Sequence, residues 1–491
     1  MKLYLNGAPR YAAEQIMMML FPADRPECVE QRPDGGDFAE IRVEERENQV
    51  LAQTTIWKNG TAHRAEESLP VADCAEDALE KKRRVHQALK VSFYRAALPL
   101  LDKPPEWGAM TGVRPAKVAA KLLASGMTRA QADAVLRDTY YVQPRRRTLA
   151  LAAAEVGRAV GARCGREQVS LYVGIPFCAS RCKYCSFVSH SIDKAAHLIE
   201  PYLDALEEEM CRVGAAVRAA GLSVMTVYIG GGTPTALTTN QLRRVMRSLR
   251  EHFDLSGVCE YTVEAGRPDT ADAEKLAMIA QEGATRVSVN PQTMDDRILK
   301  LMGRRHTAAD IVRMVEDIRR IGGLQINMDV IAGLPGDRSA GFADTIRRVL
   351  ALQPDNVTVH TLAIKKGSSL REARMALPEP AEVAQMVDFA FDAVTAAGLA
   401  PYYLYRQKYM SGNLENVGYA KPGCENLYNV LIMEELQSIL SLGAGGVTKL
   451  VNPAKNQIVR IFNPKYPYEY NNAQSRFAHT AQEIETFYSE F

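Results

Sequence analysis

The sequence predicts an α/β protein built on a partial (β/α)6 barrel, with an N-terminal α+β domain before it and a C-terminal cap region after it. Three features point there. Between about residues 166 and 398, short apolar runs alternate with amphipathic helices, the pattern of a parallel sheet with helical crossovers. Six such units can be read, too few for a closed eight-fold barrel. On either side the alternation is absent, which divides the 491 residues into segments 1–165, 166–398 and 399–491.

In chain order, FAEIRVEERENQVLAQTTIWKNGTAHRA (38–65) alternates apolar and polar residues around an Asn59-Gly60 turn and reads as antiparallel strands. From about 76 to 162 the pattern is helical, interrupted by DKPPEWGAMTGVRP (102–115), whose prolines and glycines mark a loop. The barrel strands are VSLYVGIP (169–176), VMTVYIGGG (224–232), YTVEAG (261–266), TRVSVNPQ (285–292), QINMDVIAG (325–333) and NVTVHTLAI (356–364). Segments such as PYLDALEEEMCRVGAAVRAA and TAADIVRMVEDIRRIG lie between them, apolar near the helical period and several ending at Gly. Beyond 399, YYLYRQKYMSGNLENVGYAKPG leads to LYNVLIMEELQSIL, read as a helix, and to strand-like QIVRIF; a cap across the barrel mouth is the expectation.

Composition narrows the class. A hydrophobic share of 47% and a charged share of 24% are ordinary for a globular protein. No run approaches the roughly 20 apolar residues of a membrane span. The start, MKLYLNGAPRYAAEQ, has no basic region leading into an apolar one, so the expected location is cytoplasmic. A net charge of +2 with mixed signs gives no footprint for nucleic acid. The runs KKRRVHQALK (81–90) and RRR (145–147) read as solvated helix faces. Nine scattered cysteines, an odd number, argue against a disulfide framework and for a reducing compartment.

Three of those cysteines stand apart. GIPFCASRCKYCSF sets Cys178, Cys182 and Cys185 in a C-x3-C-x2-C array directly after the first barrel strand. Three thiolates suit a 4Fe–4S cube with one iron left open to a ligand. Zinc with His190 as fourth ligand is the competing reading, although the paired C-x2-C knuckles usual for zinc are missing. The array opens the loop at a strand's C-terminal end, where such barrels build their active sites. The next strand ends in Gly230-Gly231-Gly232-Thr233-Pro234, which lets backbone groups approach a ligand closely. The spacing of a phosphate loop is absent.

C-x3-C-x2-C with Tyr184 before the last cysteine, followed by GGGTP, resembles the radical S-adenosylmethionine (SAM) superfamily, and within it the oxygen-independent coproporphyrinogen III oxidases and heme chaperones. The long N-terminal segment and the YYLYRQKYMSGNLENVGYAKPG stretch resemble the HemZ-type coproporphyrinogen dehydrogenases. The resemblance implies a 4Fe–4S cluster on Cys178, Cys182 and Cys185 and one or two molecules of SAM. It carries the SAM contacts onto Tyr172, Tyr184, Gly231, Gly232, Thr233, Glu264, Gln292, Arg304, Asp329 and Ala363. The residue types agree. Glu264, Gln292 and Asp329 fall at or near strand C-terminal ends, where they can bond hydroxyls or an ammonium, and Arg304 offers a planar fork for a carboxylate.

The activity so implied is oxidative decarboxylation of coproporphyrinogen III to protoporphyrinogen IX in heme biosynthesis, with an electron donor such as flavodoxin or ferredoxin. The alternatives are a heme chaperone of the same fold that binds heme without decarboxylating, and a radical SAM enzyme with another substrate. Phe187 departs from the pattern, since the best-known decarboxylating members carry a cysteine there. A substrate with four carboxylates calls for cations, for which Lys365, Lys366, Arg406 and Lys408 are candidates. Tyr402, Tyr403 and Tyr405 are candidates to stack on the macrocycle.

Overall fold

The computed structural model describes residues 1–71, 77–365, 367–373, 375–408, 410–455 and 457–489, so Cys74 and Lys366 lie outside the described residues. The chain forms two compact units, Met1–Leu151 and Ala152–Phe491.

In the first unit, β1 (Lys2–Asn6), β2 (Glu27–Val29), β3 (Phe38–Glu45), β4 (Gln49–Lys58) and β5 (Thr61–Pro70) form one sheet in the order β2-β1-β3-β4-β5. The β3–β4–β5 meander is antiparallel, and its second turn puts Asn59 and Gly60 at positive φ, as a tight hairpin requires. Alternation along β4 sends Val50, Ala52 and Ile56 into a core shared with helices Arg10–Leu20 and Ala78–Ala97. The basic run lies on the second of these helices, which buries Val85, Ala88 and Leu89 and leaves Lys82 and Arg83 outside.

The second unit is organised by an 11-stranded sheet. Its strands are β6 (Gln168–Ile175), β9 (Ser223–Gly231), β10 (Glu260–Glu264), β11 (Arg286–Ser288), β12 (Gln325–Ala332), β13 (Asn356–Thr361), β14 (Ala400–Tyr405), β15 (Asn416–Ala420), β16 (Ser438–Leu442), β17 (Val447–Asn452) and β18 (Gln457–Phe462). Two short strands, β7 (Phe177–Cys178) and β8 (His190–Ser191), pair with each other in the cysteine loop. The sheet order is β14-β15-β13-β12-β11-β10-β9-β6-β16-β17-β18. The six strands read from the sequence are parallel and adjacent, and crossover helices join them. Thr238 with Gln241 and Thr307 with Asp310 form capping boxes that start two of those helices.

The C-terminal segment, expected as a cap, also extends the sheet. Its strands continue the same sheet at both edges: β15 lies antiparallel to β13, while β16 lies parallel to β6. The parallel core therefore has seven strands, not six. The segment read as one helix over 427–440 breaks because helix Leu427–Glu434 ends at Glu435 in the left-handed conformation (φ 54°). The apolar run SILSL that follows is buried at every position as β16. A continuous apolar run of this length fits a buried strand or a buried helix equally well by periodicity.

Candidate active site

All parallel strands run the same way, so their C-terminal ends gather loops on one side. There a single cavity of about 590 Å³ is lined by Cys178, Cys182 and Cys185 and also by Tyr172, Tyr184, Gly231, Gly232, Thr233, Glu264, Gln292, Arg304, Asp329 and Ala363. Every residue singled out from the sequence as a cluster or SAM contact thus faces one space, although they span nearly 200 positions.

The cysteine loop is held by side chains the sequence reading did not single out. Arg267, buried, donates from Nη1 to the Ser180 carbonyl (2.7 Å) and from Nη2 to the Ser180 hydroxyl (2.8 Å). Its other edge pairs with Asp269 at 2.8 Å. Burial raises an acid's pKa, but His306 and Arg267 together hold the Asp269 carboxyl below the usual carboxylate range. The Lys183 amide donates to the Met302 carbonyl, and the Lys183 carbonyl accepts from the Leu370 amide. Thr233 Oγ1 lies 3.5 Å from Cys178 Sγ. Burial pushes the Cys185 thiol up to about 11, so it is a thiolate only with positive charge against it.

Glycine is required where the loop meets the second strand. A Cβ on Gly232 would sit 2.6 Å from the Phe177 carbonyl oxygen and 2.9 Å from Cys178 Sγ. Gly231 has φ 111°, outside the range of ordinary residues. Gln292 is held at φ 67°, with its amide bonded to the Asp329 carbonyl and its buried Oε1 without a partner, as is the Oδ1 of Asn290. Unpaired buried acceptors on a cavity wall await donors from a ligand.

The two cavity carboxylates are pushed in opposite directions. Burial drives Glu264 up to about 7, and Asp329 beside it adds to the rise against the opposing bond from the Tyr228 hydroxyl (2.7 Å). Asp329 is as deeply buried, yet His360 Nε2 at 3.8 Å and the Asn327 amide at 2.9 Å hold it below its ordinary value. At neutral pH one is an anion and the other shares its proton. Tyr172, Tyr228 and Tyr428 also pack on one another, with ring centroids 6.1 Å apart for Tyr172 and Tyr228, 4.6 Å for Tyr228 and Tyr428 and 6.2 Å for Tyr172 and Tyr428, making an aromatic wall.

Other expectations are redistributed. The Arg304 fork is not turned to a ligand carboxylate: Nη1 donates to the Tyr184 hydroxyl (2.7 Å) and Nη2 to the carbonyls of Gly266 (2.6 Å) and Asn290 (2.8 Å), which leaves its buried Nε. It fixes Tyr184 and two strand-end loops. Arg406 is buried against the Asn413 carbonyl (2.9 Å), its pKa pushed down to about 10 by burial, and does not line the cavity. Lys365, Tyr403 and Tyr405 line it, whereas the Tyr402 hydroxyl accepts from Asn429 behind the wall and Lys408 lies elsewhere. Phe187, at 64% exposure, stands at the rim.

The donor set fits an iron–sulfur cluster better than a single ion. Among the described residues, the trio of His, Cys, Asp or Glu donors gathered within 4.8 Å of one another is Glu207, Glu251 and His252, on a different part of the molecule. The three thiols with His190 are spread wider than the ~3.8 Å that zinc–sulfur bonds of ~2.3 Å impose. The backbone of His190 pairs with Phe177 across β7 and β8, and its ring meets that of Tyr466 edge-on at 6.2 Å.

Comparison with known proteins agrees. Residues 172–349 match the radical SAM superfamily. The chain is 38% identical over 385 residues to the oxygen-independent coproporphyrinogen-III oxidase-like protein HemZ of Bacillus subtilis, covering 77% of this chain and 76% of that protein. It is 32% identical over 314 residues to the heme chaperone HemW of the same organism, covering 61% and 77%. The fold matches coproporphyrinogen III oxidase (HemN) of Escherichia coli with a TM-score of 0.53 at 24% identity, covering 66% of this chain and 73% of that one. No helix among the described residues is long and apolar enough to cross a membrane.

Proposed function

Because the chain belongs to the radical SAM superfamily, in its family of oxygen-independent coproporphyrinogen III oxidase-like proteins, we propose that it oxidatively decarboxylates coproporphyrinogen III to protoporphyrinogen IX. One observation carries this reading: the three loop cysteines and the ten family-matched SAM positions line a single cavity at the C-terminal ends of the strands. Membership of the superfamily implies a 4Fe–4S cluster and SAM. In this reading Cys178, Cys182 and Cys185 hold the cluster, one SAM occupies the glycine-lined part of the cavity, and segment 1–165 is an accessory domain. When bound, the cluster and SAM supply reductive, hydrogen-abstracting radical chemistry at a substrate propionate.

The chain's own residues bind, orient and shield. Arg267 and the Lys183 backbone fix the loop, so the cysteines are preorganised. Gly231 and Gly232 bring backbone close to the cofactor, and anionic Asp329 accepts from an ammonium or hydroxyl. Glu264, poised near neutrality and accepting from Tyr228 at Oε1, accepts from a ribose hydroxyl or holds a proton at Oε2. The Tyr172–Tyr228–Tyr428 wall excludes water from a reaction that water would quench. Lys365 at the rim meets a propionate, and a donor of the flavodoxin or ferredoxin class delivers electrons in the cytoplasm.

A second reading has specific support: the likeness to a heme chaperone, and Phe187 in place of the cysteine of decarboxylating relatives. Anaerobic incubation of cluster-loaded protein with SAM, dithionite and coproporphyrinogen III decides between them. Vinyl product and CO2 are the expected outcome. Stoichiometric heme binding with neither product overturns it in favour of the chaperone.

A further inference from the structure

Glu209 is a buried carboxylate that no step above uses. It lies in helix Ile199–Ala219 with no surface exposure and accepts three hydrogen bonds, all from the C-terminal segment. The donors are the Gly443 amide (2.7 Å), Asn463 Nδ2 (2.7 Å) and the Tyr470 hydroxyl. From the same helix, the Tyr202 hydroxyl donates to the Gly174 carbonyl of β6 and accepts from the Ala444 amide at 3.1 Å. Together these groups grip the turn 443–446 between β16 and β17. The turn is conformationally special: Gly443 and Gly445 have φ 93° and 73°, and a Cβ on Gly443 would lie 2.4 Å from the Gly174 oxygen.

That turn follows the C-terminal end of β16, the seventh parallel strand, and Ser441, Gly445, Gly446 and Val447 from it and its flanks line the cavity. We propose that Glu209 is a positioning residue: through Gly443, Asn463 and Tyr470 its ionised carboxylate fixes the 443–447 segment as one wall of the cavity and thereby sets how tightly the adenosyl cofactor is held. This rests on the reading of the cavity as the SAM site. Three donors converging on one group need an acceptor with no hydrogen of its own; an amide or a protonated acid would turn a donor toward donors. The titratable groups that face Glu209 are Tyr202 from its own helix and Tyr470 from the C-terminal segment, and the Gly443 amide and Asn463 complete the surround. Burial pushes Glu209 up to about 7 against these bonds, so the grip is full above that pH and weakens below it.

The test uses full-length, cluster-loaded Glu209→Gln and, as the milder change, Tyr470→Phe. Amide hydrogen exchange is followed over 441–447, and SAM is titrated against the electron paramagnetic resonance signal of the reduced cluster. Expected are wild-type iron content, faster exchange confined to 441–447 and its contacts, and a SAM midpoint raised about ten-fold. In wild type the midpoint should also rise between pH ~8 and ~6 more than in Glu209→Gln. Unchanged exchange and an unchanged midpoint in Tyr470→Phe would overturn the proposal, even if Glu209→Gln failed to fold. A wild-type cluster signal indifferent to SAM would instead sink the SAM-site reading, and the exchange result would still report on the latch.

Discussion

The cavity has two walls of different origin. One is built from residues 172–363, where the chemistry sits on the barrel strands and the loops at their ends: cysteines, Glu264, Gln292, Asp329 and the glycine run. The other comes from residues 401–447 and offers mainly tyrosine rings and turn backbone, held from behind by Glu209 and by Glu260, which accepts from the Leu427 and Tyr428 amides. The first wall supplies functional groups and the second supplies shape. Substitutions on the first should abolish function at near-constant fold; those on the second should loosen binding and stability together.

The largest effect that could break this division is expected at Cys182. Cys182→Ala should reduce iron content to background and remove any SAM-dependent spectral change, while circular dichroism stays that of wild type. A variant that kept both iron and SAM response would remove the cysteine loop from the chemistry. Next comes Gly232→Ala, whose new methyl meets the Phe177 carbonyl and Cys178 Sγ, neither of which is a flexible side-chain end. It should cost about 1–3 kcal/mol in chemical denaturation and displace Cys178, giving substoichiometric iron. On the second wall, Gly418→Ala puts a Cβ 2.0 Å from Cε1 of buried Tyr403. A similar loss of stability is expected there with full iron content, and the contrast in iron between two Gly→Ala changes is what separates the walls.

The pair Glu264 and Asp329 sharpens the comparison within the first wall. Glu264 moves from 4.5 to about 7 in the folded protein, so between those values the native state binds more protons than the unfolded chain. Its contribution to stability therefore falls as pH rises from about 4.5 to about 7. Asp329 is shifted the other way; its contribution is present above its ordinary value and lost as pH falls below it. Thermal midpoints across pH ~4 to ~8 should accordingly rise most at the alkaline end in Glu264→Gln and fall most there in Asp329→Asn. Equal profiles for the two variants would show that burial at Glu264 and His360 at Asp329 do not set their charges.

Much of the first wall was legible in the sequence because its information is local. Cys178, Cys182 and Cys185 lie within eight positions, Gly231 and Glu264 each end a strand, and Asp329 is the lone charge inside the apolar run QINMDVIA, all on strands whose direction the βα alternation fixes. The second wall was not legible in the same way. Nothing in SILSL states that it pairs with a strand about 270 positions earlier, and without that pairing neither the seventh parallel strand nor the 443–446 turn can be placed. Arg304 shows a different limit: its position at the cavity was readable, but its fork is taken by carbonyls of Gly266 and Asn290, which only the fold brings together. Arg267, Tyr228 and Tyr428 carried no motif, although each lies within a few residues of one or at a strand or helix that flanks one. For Gln292, the left-handed backbone was invisible because glutamine gives no sign of it.

The smallest expected effect lies at the rim, where the two walls meet the substrate. Lys365 lines the cavity beside Cys185, and burial pushes its ammonium below the ordinary lysine value, against the attraction of that cysteine. A half-buried cation at the mouth can pair with a propionate but gains only a partly screened interaction from it. Lys365→Met keeps the length and the apolar stem and deletes only the charge. It should raise KM for coproporphyrinogen III about three- to five-fold while leaving SAM-dependent cluster perturbation and iron content as in wild type. A KM unchanged at low ionic strength, where screening is weakest, would mean that the tetrapyrrole enters from a side Lys365 does not face. A lost SAM response would place Lys365 with the first wall.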